Sequence, residues 1–545
     1  MPQDEKLILV ALGAAALVAL YFVRSKKNVA PGPVPPGPKG LPILRNAADV
    51  PQSQPWLTLS QWAKTYGPIV HLSVLGTSII VLNDANYATD MLDKKSRIYS
   101  NRPHLVMGGE LVGWDEGPVL SQCGKRWSEY RRLMAQFLGT RSKIESAYSN
   151  IFEKTTHSFL HGILESPSNW KDHGYRFAGA IVLEIAYGYH AEDKDDPLVK
   201  LVDDAMDQFS ELTGNAFAVD SFPFLRFVPQ WLPGGGWKKK VVPYRTTLQT
   251  MLDTPYTWVK KQMEMGTSIS CFVSDLLESG KFSSNDEERL VKWAAAGIYS
   301  GGAETTAAAI EAFFLAMILQ PDAQRKAQAE LDAVLGFCTA PRLADRSRLP
   351  FMEALISEIF RAYTIGPIGM THSRTNCVLR SILYFSGLPH VAAEDDVHNG
   401  FFIPKDSIIF TNNWSVSMFE YIMCLTSRFL RLFYRDPNTY ADPGKFRPER
   451  FIETTTHTKE KDPKDILFGY GRRACPGIHL ADMTMWLLFS SILAFFDISA
   501  PKVDGRSVLP SGKFMNGSIS HPEQFECAIR PRQGAAEAIR RLLES

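Results

Sequence analysis

The sequence predicts one large, mainly α-helical domain with a minor β region, set behind an apolar N-terminal anchor. Three observations predict it. From about Pro42 onward, long amphipathic runs dominate with no linker, low-complexity stretch or internal repeat between them. The β-like runs are short and few, at Ile69–Leu75, Ser78–Leu82 and around Gly400–Phe410. One helical run, Ser284–Gln320, has an acidic first turn (Asn285, Asp286, Glu287, Glu288) and stops at Pro321. At 1.5 Å per residue it is about 55 Å long, a rod best stabilised by burial through the middle of a single domain. A chain of 545 residues would by length alone suggest several domains, but that rod and the missing linkers argue for one.

Composition removes other classes. With 59 basic and 58 acidic side chains the net charge is +1, so no concentrated basic face marks nucleic acid as a partner. A 45% hydrophobic content excludes a disordered chain. The seven cysteines (Cys123, Cys271, Cys338, Cys377, Cys424, Cys475, Cys527) form no CxxC pair and read as reduced thiols.

Taken in order, the elements begin with Leu7–Val23, 17 uncharged and almost wholly apolar positions. Acidic residues precede it, Arg24, Lys26 and Lys27 follow it, and no clear cleavage site is present. It therefore reads as an uncleaved single-pass anchor (1–24) with everything downstream in the cytoplasm. Pro31–Pro42 lies in a proline-rich hinge (25–44), read as a semi-rigid spacer ahead of the domain at 45–545. Helical runs follow at Lys125–Leu138, Lys154–Leu164, Pro197–Thr213, Tyr244–Met265, Ser284–Gln320, Asp322–Leu335 and Pro350–Tyr363. Between two of them, Phe222–Lys240 mixes aromatics, prolines and lysines. It reads either as a core-packed loop or as a segment dipping into a membrane interface, with Trp231 and Trp237 at headgroup level.

The sharpest chemical signal is FGYGRRACPG, Phe468–Gly477. Pro476 suits a first helical position, which places Cys475 at a helix N-terminus where N–H groups and the dipole favour thiolate. Gly471 and Gly477 thin the backbone on either side, as a flat ligand against the sulfur requires. An ordinary buried cysteine in a turn is the bland alternative. A dinucleotide loop is not, because no βαβ pattern surrounds it. The segment resembles the haem-binding loop of the cytochrome P-450 family, pattern FxxGxRxCxG. Other pieces fall in the family's order. The long helix carries Gly301-Gly302, costing about 1 kcal/mol per glycine against alanine, followed by Glu304 and Thr305. Close helix packing would account for the glycines; so would a notch for dioxygen. The resemblance makes Glu304 and Thr305 the acid–alcohol pair that relays protons.

Glu358 and Arg361 form an ExxR whose ends share a helix face. The resemblance joins them to Arg450 of FRPERF in a buried charge network bracing the cysteine loop. It assigns Trp127 and Arg131 of a WxxxR helix, with Arg473 and His390, to the haem propionates. Cys475 becomes the axial iron ligand, with Phe468 and Gly477 at the haem. The family implies haem b, and a small lipophilic substrate whose cavity is lined partly by loops around Asn101–Gln122 and Asp207–Trp237. It further implies NADPH electrons delivered by a separate cytochrome reductase, with a b-type cytochrome as a second donor, and an endoplasmic reticulum membrane location. The implied reaction is insertion of one oxygen atom from dioxygen, by hydroxylation or epoxidation.

Two stretches depart from the pattern. Met370–Ser386 interrupts the segment between Gly369 and Leu388-Pro389-His390, and Met418–Tyr434 splits the run before Arg435-Asp436-Pro437. Each is 17 residues, and excising both restores the pattern without a gap. They read as translated introns, with a pair of real loops as the alternative. Two rival functions remain: a non-oxygenating haem-thiolate isomerase or dehydratase, and a membrane-held protein disabled by the two insertions.

Overall fold

The computed structural model describes residues 31–544 except 43–44, 51–54, 75, 192–195, 215–216, 233–234, 364, 366–388, 413–438 and 516–518. The anchor at 1–24 and both insertions, 370–386 and 418–434, lie outside the described residues.

The β region is assembled from both ends of the domain. Strands β1 (Ile69–Val74) and β2 (Thr77–Leu82) form an antiparallel hairpin in register Ile69↔Leu82. Downstream come β3 (His390–Val391), the small hairpin β4 (Asp396–His398) and β5 (Phe401–Ile403), and β6 (Ile408–Thr411). The sheet order is β1-β2-β6-β3, with β2 and β6 parallel. Its effect is to bring His390 beside Asn101, through a bridge between Asn101 and Val391. The described part of the proline hinge is docked on these strands. Pro36 and Pro33 cannot donate hydrogen bonds, but their carbonyls accept from His71 N–H (2.9 Å) and Phe402 N–H (2.8 Å). These bonds fix the direction in which the described part of the hinge leaves the domain.

The helical body contains α1 (Lys125–Leu138), α2 (Arg141–Glu165), α3 (Trp170–Tyr187), α4 (Pro197–Gly214) and α5 (Val241–Glu264). After these come α6 (Asn285–Leu319), α7 (Pro321–Leu335), α8 (Pro350–Ala362), α9 (Ile478–Phe495) and the C-terminal α10 (Ala535–Glu544). Helix α6 is the predicted rod. A reciprocal cap starts it: Ser284 Oγ accepts from Glu287 N–H, and Glu287 Oε2 accepts from Ser284 N–H at 3.0 Å. Pro321 ends it by opening α7.

Helices α6 and α3 approach closely through small residues; a Cβ on Gly302 would come within 2.5 Å of Val182 Cγ1. The sequence analysis singles out no helix at Trp170–Tyr187; its polar face is confined to Lys171, Asp172, Tyr175, Arg176 and Glu184, and its second half is almost wholly apolar. On the other side, Phe313 of α6 stacks on Phe489 of α9 at 4.2 Å between ring centroids. Among the described residues, α6 and α9 are long and apolar enough to cross a membrane, but most of each is buried inside the protein, which makes them core helices.

The Phe222–Lys240 segment divides. Trp231 is 81% exposed and Phe227 80%, with Phe224 also exposed. Trp237 follows the core-packed reading instead, packing on the main core beneath Lys238.

Candidate functional site

The cysteine loop is closed by its own backbone. Cys475 N–H donates to Phe468 O at 2.7 Å, and Gly469 and Gly471 take left-handed φ values of 75° and 51°. Helix α9 begins at Ile478 with Gly477 at its N-cap, so Pro476 precedes the helix and is not its first residue. The sulfur still meets the helix end, accepting from Gly477 N–H. Gly471 is needed for a different neighbour from the one expected. Its N–H donates to Asp93, and a Cβ there would meet Leu92 O at 2.3 Å. The close approach is to the 92–96 segment that clamps the loop from outside.

The expected thiolate preference is also modified. Burial pushes the Cys475 thiol up, and the Gly477 N–H and the Arg131 charge only partly pull it back. A bound metal cation adds the positive charge that favours the thiolate at this buried sulfur.

Around that sulfur the structure gathers positive charge. Trp127 is buried on α1, and the Arg473 guanidinium lies over its ring at 4.9 Å. Arg473 also donates to Ser100 O (2.7 Å), Pro118 O (3.2 Å) and Ser121 O (2.5 Å). Arg131, half-buried one turn along α1, makes no ion pair or side-chain hydrogen bond among the described residues. Its pKa is lowered by burial, and the Cys475 sulfur is the charged neighbour that offsets this. His390 holds Tyr99 O through Nδ1 at 2.6 Å, and burial with Arg102 and Arg473 nearby depresses its pKa to about 3, so the ring is neutral. Arg102, which the sequence reading missed, completes the group from the loop before α1, donating to Pro389 O at 2.8 Å. Sharing a site with Arg473 and losing solvent, it too is held below the usual guanidinium range.

Glu304 and Thr305 lie in a window of α6. Ala294–Ser300 is mostly buried and Ala307–Ile318 fully so, while Gly301 through Thr306 are partly or fully open. The two glycines have separate causes: Gly302 admits Val182, whereas a Cβ on Gly301 would meet nothing within 4 Å. Thr305 Oγ1 donates back to Gly301 O at 2.8 Å across this window. Glu304 Oε1 faces His521 Nε2 at 3.8 Å, an association that no spacing in the chain marks. One turn earlier, Trp114, Pro118, Val119, Met251 and Trp293 close an apolar recess against Ala296, Gly297 and Ser300. The Asn101–Gln122 stretch thus supplies lining residues; Asp207–Trp237 supplies none of them.

The ExxR pair is fully buried. Glu358 receives Arg361 Nε at 2.7 Å and Arg361 Nη2 at 2.8 Å, Arg447 N–H at 2.6 Å, and Arg450 Nε at 3.1 Å in an ion pair. Glu460, unforeseen in the sequence, neutralises Arg450 through Nη1 at 2.7 Å. Two carboxylates and two guanidiniums balance in the interior, behind the cysteine loop. Nearby, Asp482 of α9 binds Arg141, Arg346 and Lys464, which overcome its burial and hold its carboxyl at about 2.

These features fit a haem. A sulfur ligand lies at one helix end, an opening interrupts an otherwise buried helix, and Arg131 is a half-buried cation with no carboxylate of its own beside Arg473 and Arg102. A flat iron porphyrin with two carboxylates supplies what each lacks.

Comparison with known proteins agrees. The cytochrome P-450 family model matches residues 35–383 and 427–526. The chain is 42% identical to cytochrome P-450 monooxygenase 208 of Postia placenta, over 98% of this chain and 97% of that one. It is 39% identical to cytochrome P-450 monooxygenase claR of Ampulloclitocybe clavipes (98% and 92%) and 33% identical to cytochrome P-450 monooxygenase ppsD of Aspergillus oryzae (98% and 95%). The chain therefore belongs to the cytochrome P-450 family of haem-dependent monooxygenases, and it is an oxidoreductase.

Proposed function

We propose that the protein inserts one oxygen atom into a small lipophilic substrate, by hydroxylation or epoxidation. The single observation carrying this reading is the opening at Gly301–Thr306 of α6, where a carboxylate and a hydroxyl face an otherwise buried interior next to an apolar recess. An isomerase or dehydratase needs no such proton-delivering pair. The haem, when bound, supplies the electron transfer and dioxygen chemistry.

The chain's own residues do the rest. Cys475 holds the iron through sulfur, with Gly477 N–H stabilising the negative charge. Arg131 and Arg473 orient the cofactor by its carboxylates, with Trp127 packed under Arg473, and His390 closes that end. Phe468 and Gly477 flank the sulfur. Trp114, Pro118, Val119 and Trp293 exclude water and bind apolar substrate surface. Glu304 gives a proton at its carboxyl oxygen and Thr305 holds one at Oγ1. Glu358, Arg361 and Arg450 brace the loop. Electrons come from NADPH through a separate reductase, with a b-type cytochrome as a second donor.

We also place the protein at the endoplasmic reticulum membrane, held by residues 1–24 with the catalytic domain in the cytoplasm. The exposed Phe224, Phe227 and Trp231 support contact with the bilayer. Residues 370–386 and 418–434 are read as translated introns; a transcript carrying both blocks as its sole form would remove that reading. For the activity, purified protein with NADPH and a cytochrome reductase is screened against lipophilic compounds for spectral shifts and oxygenated products. Reductase-dependent oxygenated product is expected. Turnover that proceeds without reductase would favour the isomerase reading.

A further inference from the structure

We propose that His521 is a positioning residue that bridges Glu304 to Glu311 and resupplies Glu304 with protons. The inference rests on the monooxygenase reading and adds a residue to its proton path. Glu304 and Glu311 are seven residues apart, hence two turns along one face of α6. His521 enters between them from the C-terminal segment: Nε2 is 3.8 Å from Glu304 Oε1 and Nδ1 is 3.5 Å from Glu311 Oε2. Nδ1 is buried and makes no hydrogen bond, so the two carboxylates are the ion-pair partners of the ring's two nitrogens.

The ring is held in this position by backbone contacts. Ser520 N–H donates to Ile365 O (2.8 Å), Met515 N–H to His521 O (2.7 Å), and Phe514 bridges Pro522. The Tyr175 ring of α3 lies parallel to the imidazole, at 6.3 Å and 11°.

The acidic groups around the ring favour its protonated form, and one cation competes for them. Lys171 of α3 reaches Glu311 at 3.9 Å. From α4, Asp203 and Asp207 share the field of Glu304, and burial with these like charges raises both, Asp203 to about 6. Burial alone would lower the imidazole, but its contacts with Glu304 and Glu311 raise it to about 9. At neutral pH the ring is an imidazolium between two carboxylates. The proton step balances without electrons: Nε2–H passes to the Glu304 carboxylate, leaving a neutral imidazole whose remaining proton stays on Nδ1 beside the Glu311 carboxylate, and a proton taken from solvent at Nε2 restores the imidazolium.

The test uses the full-length holoenzyme and His521→Gln, with Glu311→Gln as a second variant. The first readout is thermal stability against pH, which needs no turnover. Because the folded imidazole titrates above its unfolded value of 6.5, its stabilisation is complete below pH 6.5 and lost as pH rises through 9. The variant's midpoint should lie below wild type at pH 6.5 and converge with it above pH 9. A constant gap across that range overturns the clamp. The second readout is NADPH and dioxygen consumption with purified reductase in water and deuterium oxide. A fall on the order of tenfold in both variants is expected, with an enlarged solvent isotope effect and an unchanged ferrous–CO band. Wild-type rates and isotope effects in both overturn the proton supply. Wild-type protein lacking reductase-dependent NADPH oxidation would instead sink the monooxygenase reading, with the pH test of the clamp still standing.

Discussion

Glu358→Ala is the perturbation whose cost the structure fixes best. The carboxylate has no exposed surface and takes Arg361 twice, Arg450 once in an ion pair, and the Arg447 N–H. Removing it strands two guanidiniums with fully buried side chains; Glu460 remains for Arg450, and Arg361 keeps the carbonyls of Pro443 (2.9 Å) and Lys445 (3.4 Å). Breaking one buried pair costs about 3–5 kcal/mol, and two partners put this case near the top of that range. Against a typical total of about 5–15 kcal/mol, the ratio of folded to unfolded protein falls by about 10³–10⁴-fold. Haem content, the ferrous–CO spectrum and thermal unfolding of purified variant report it. The expected result is little haem-loaded protein and a sharply lowered midpoint, with Glu358→Gln intermediate because its amide oxygen still accepts one bond. An alanine variant with wild-type haem content and midpoint would refute the reasoning, since the network would then brace nothing.

Other substitutions separate neighbouring roles. Gly301→Ala meets open space and should stabilise α6 by about 0.4–1 kcal/mol while slowing oxygenation, whereas Gly302→Ala must displace Val182 and should lower the thermal midpoint; differential scanning calorimetry with product assays distinguishes them. Arg131→Ala should hasten haem loss to apomyoglobin, and Arg131→Lys should restore part of the retention, because charge without the fork keeps one of two contributions. Asp482 ionises near 2 against an ordinary 3.8, so its stabilisation is present above pH 3.8 and lost as pH falls through 2. Held ionised, it contributes about 2 kcal/mol at neutral pH, and the stability gap between wild type and Asp482→Asn should be widest there and narrow on acidification.

What the sequence made legible follows from how local each signal is. Helix α6 was readable to within a residue, because Ser284, Glu287 and Pro321 are start and stop signals that act over one turn. The cysteine loop was readable because its glycines, proline and sulfur are contiguous. Its clamp by Asp93, nearly four hundred residues upstream, was not. Gly301-Gly302 left two readings open, packing or opening, and each glycine takes one of them; only the position of Val182 across α3 decides which. Glu460, Arg102 and His521 carry no spacing that marks them. They act through contacts between distant segments, where burial and opposing charge, not period, fix the partner. The thiolate expectation for Cys475 rests on the helix end, which is local; the opposing desolvation comes from distant segments that bury the sulfur and has no mark in the sequence.

The central claim is that the Cys475 sulfur is the iron's ligand, and replacing that one atom tests it. Cys475→Ser should lose the thiolate-type ferrous–CO Soret band and reductase-dependent oxygen insertion while any retained haem absorbs as an oxygen- or nitrogen-ligated pigment. A serine variant that kept the thiolate band would contradict the account.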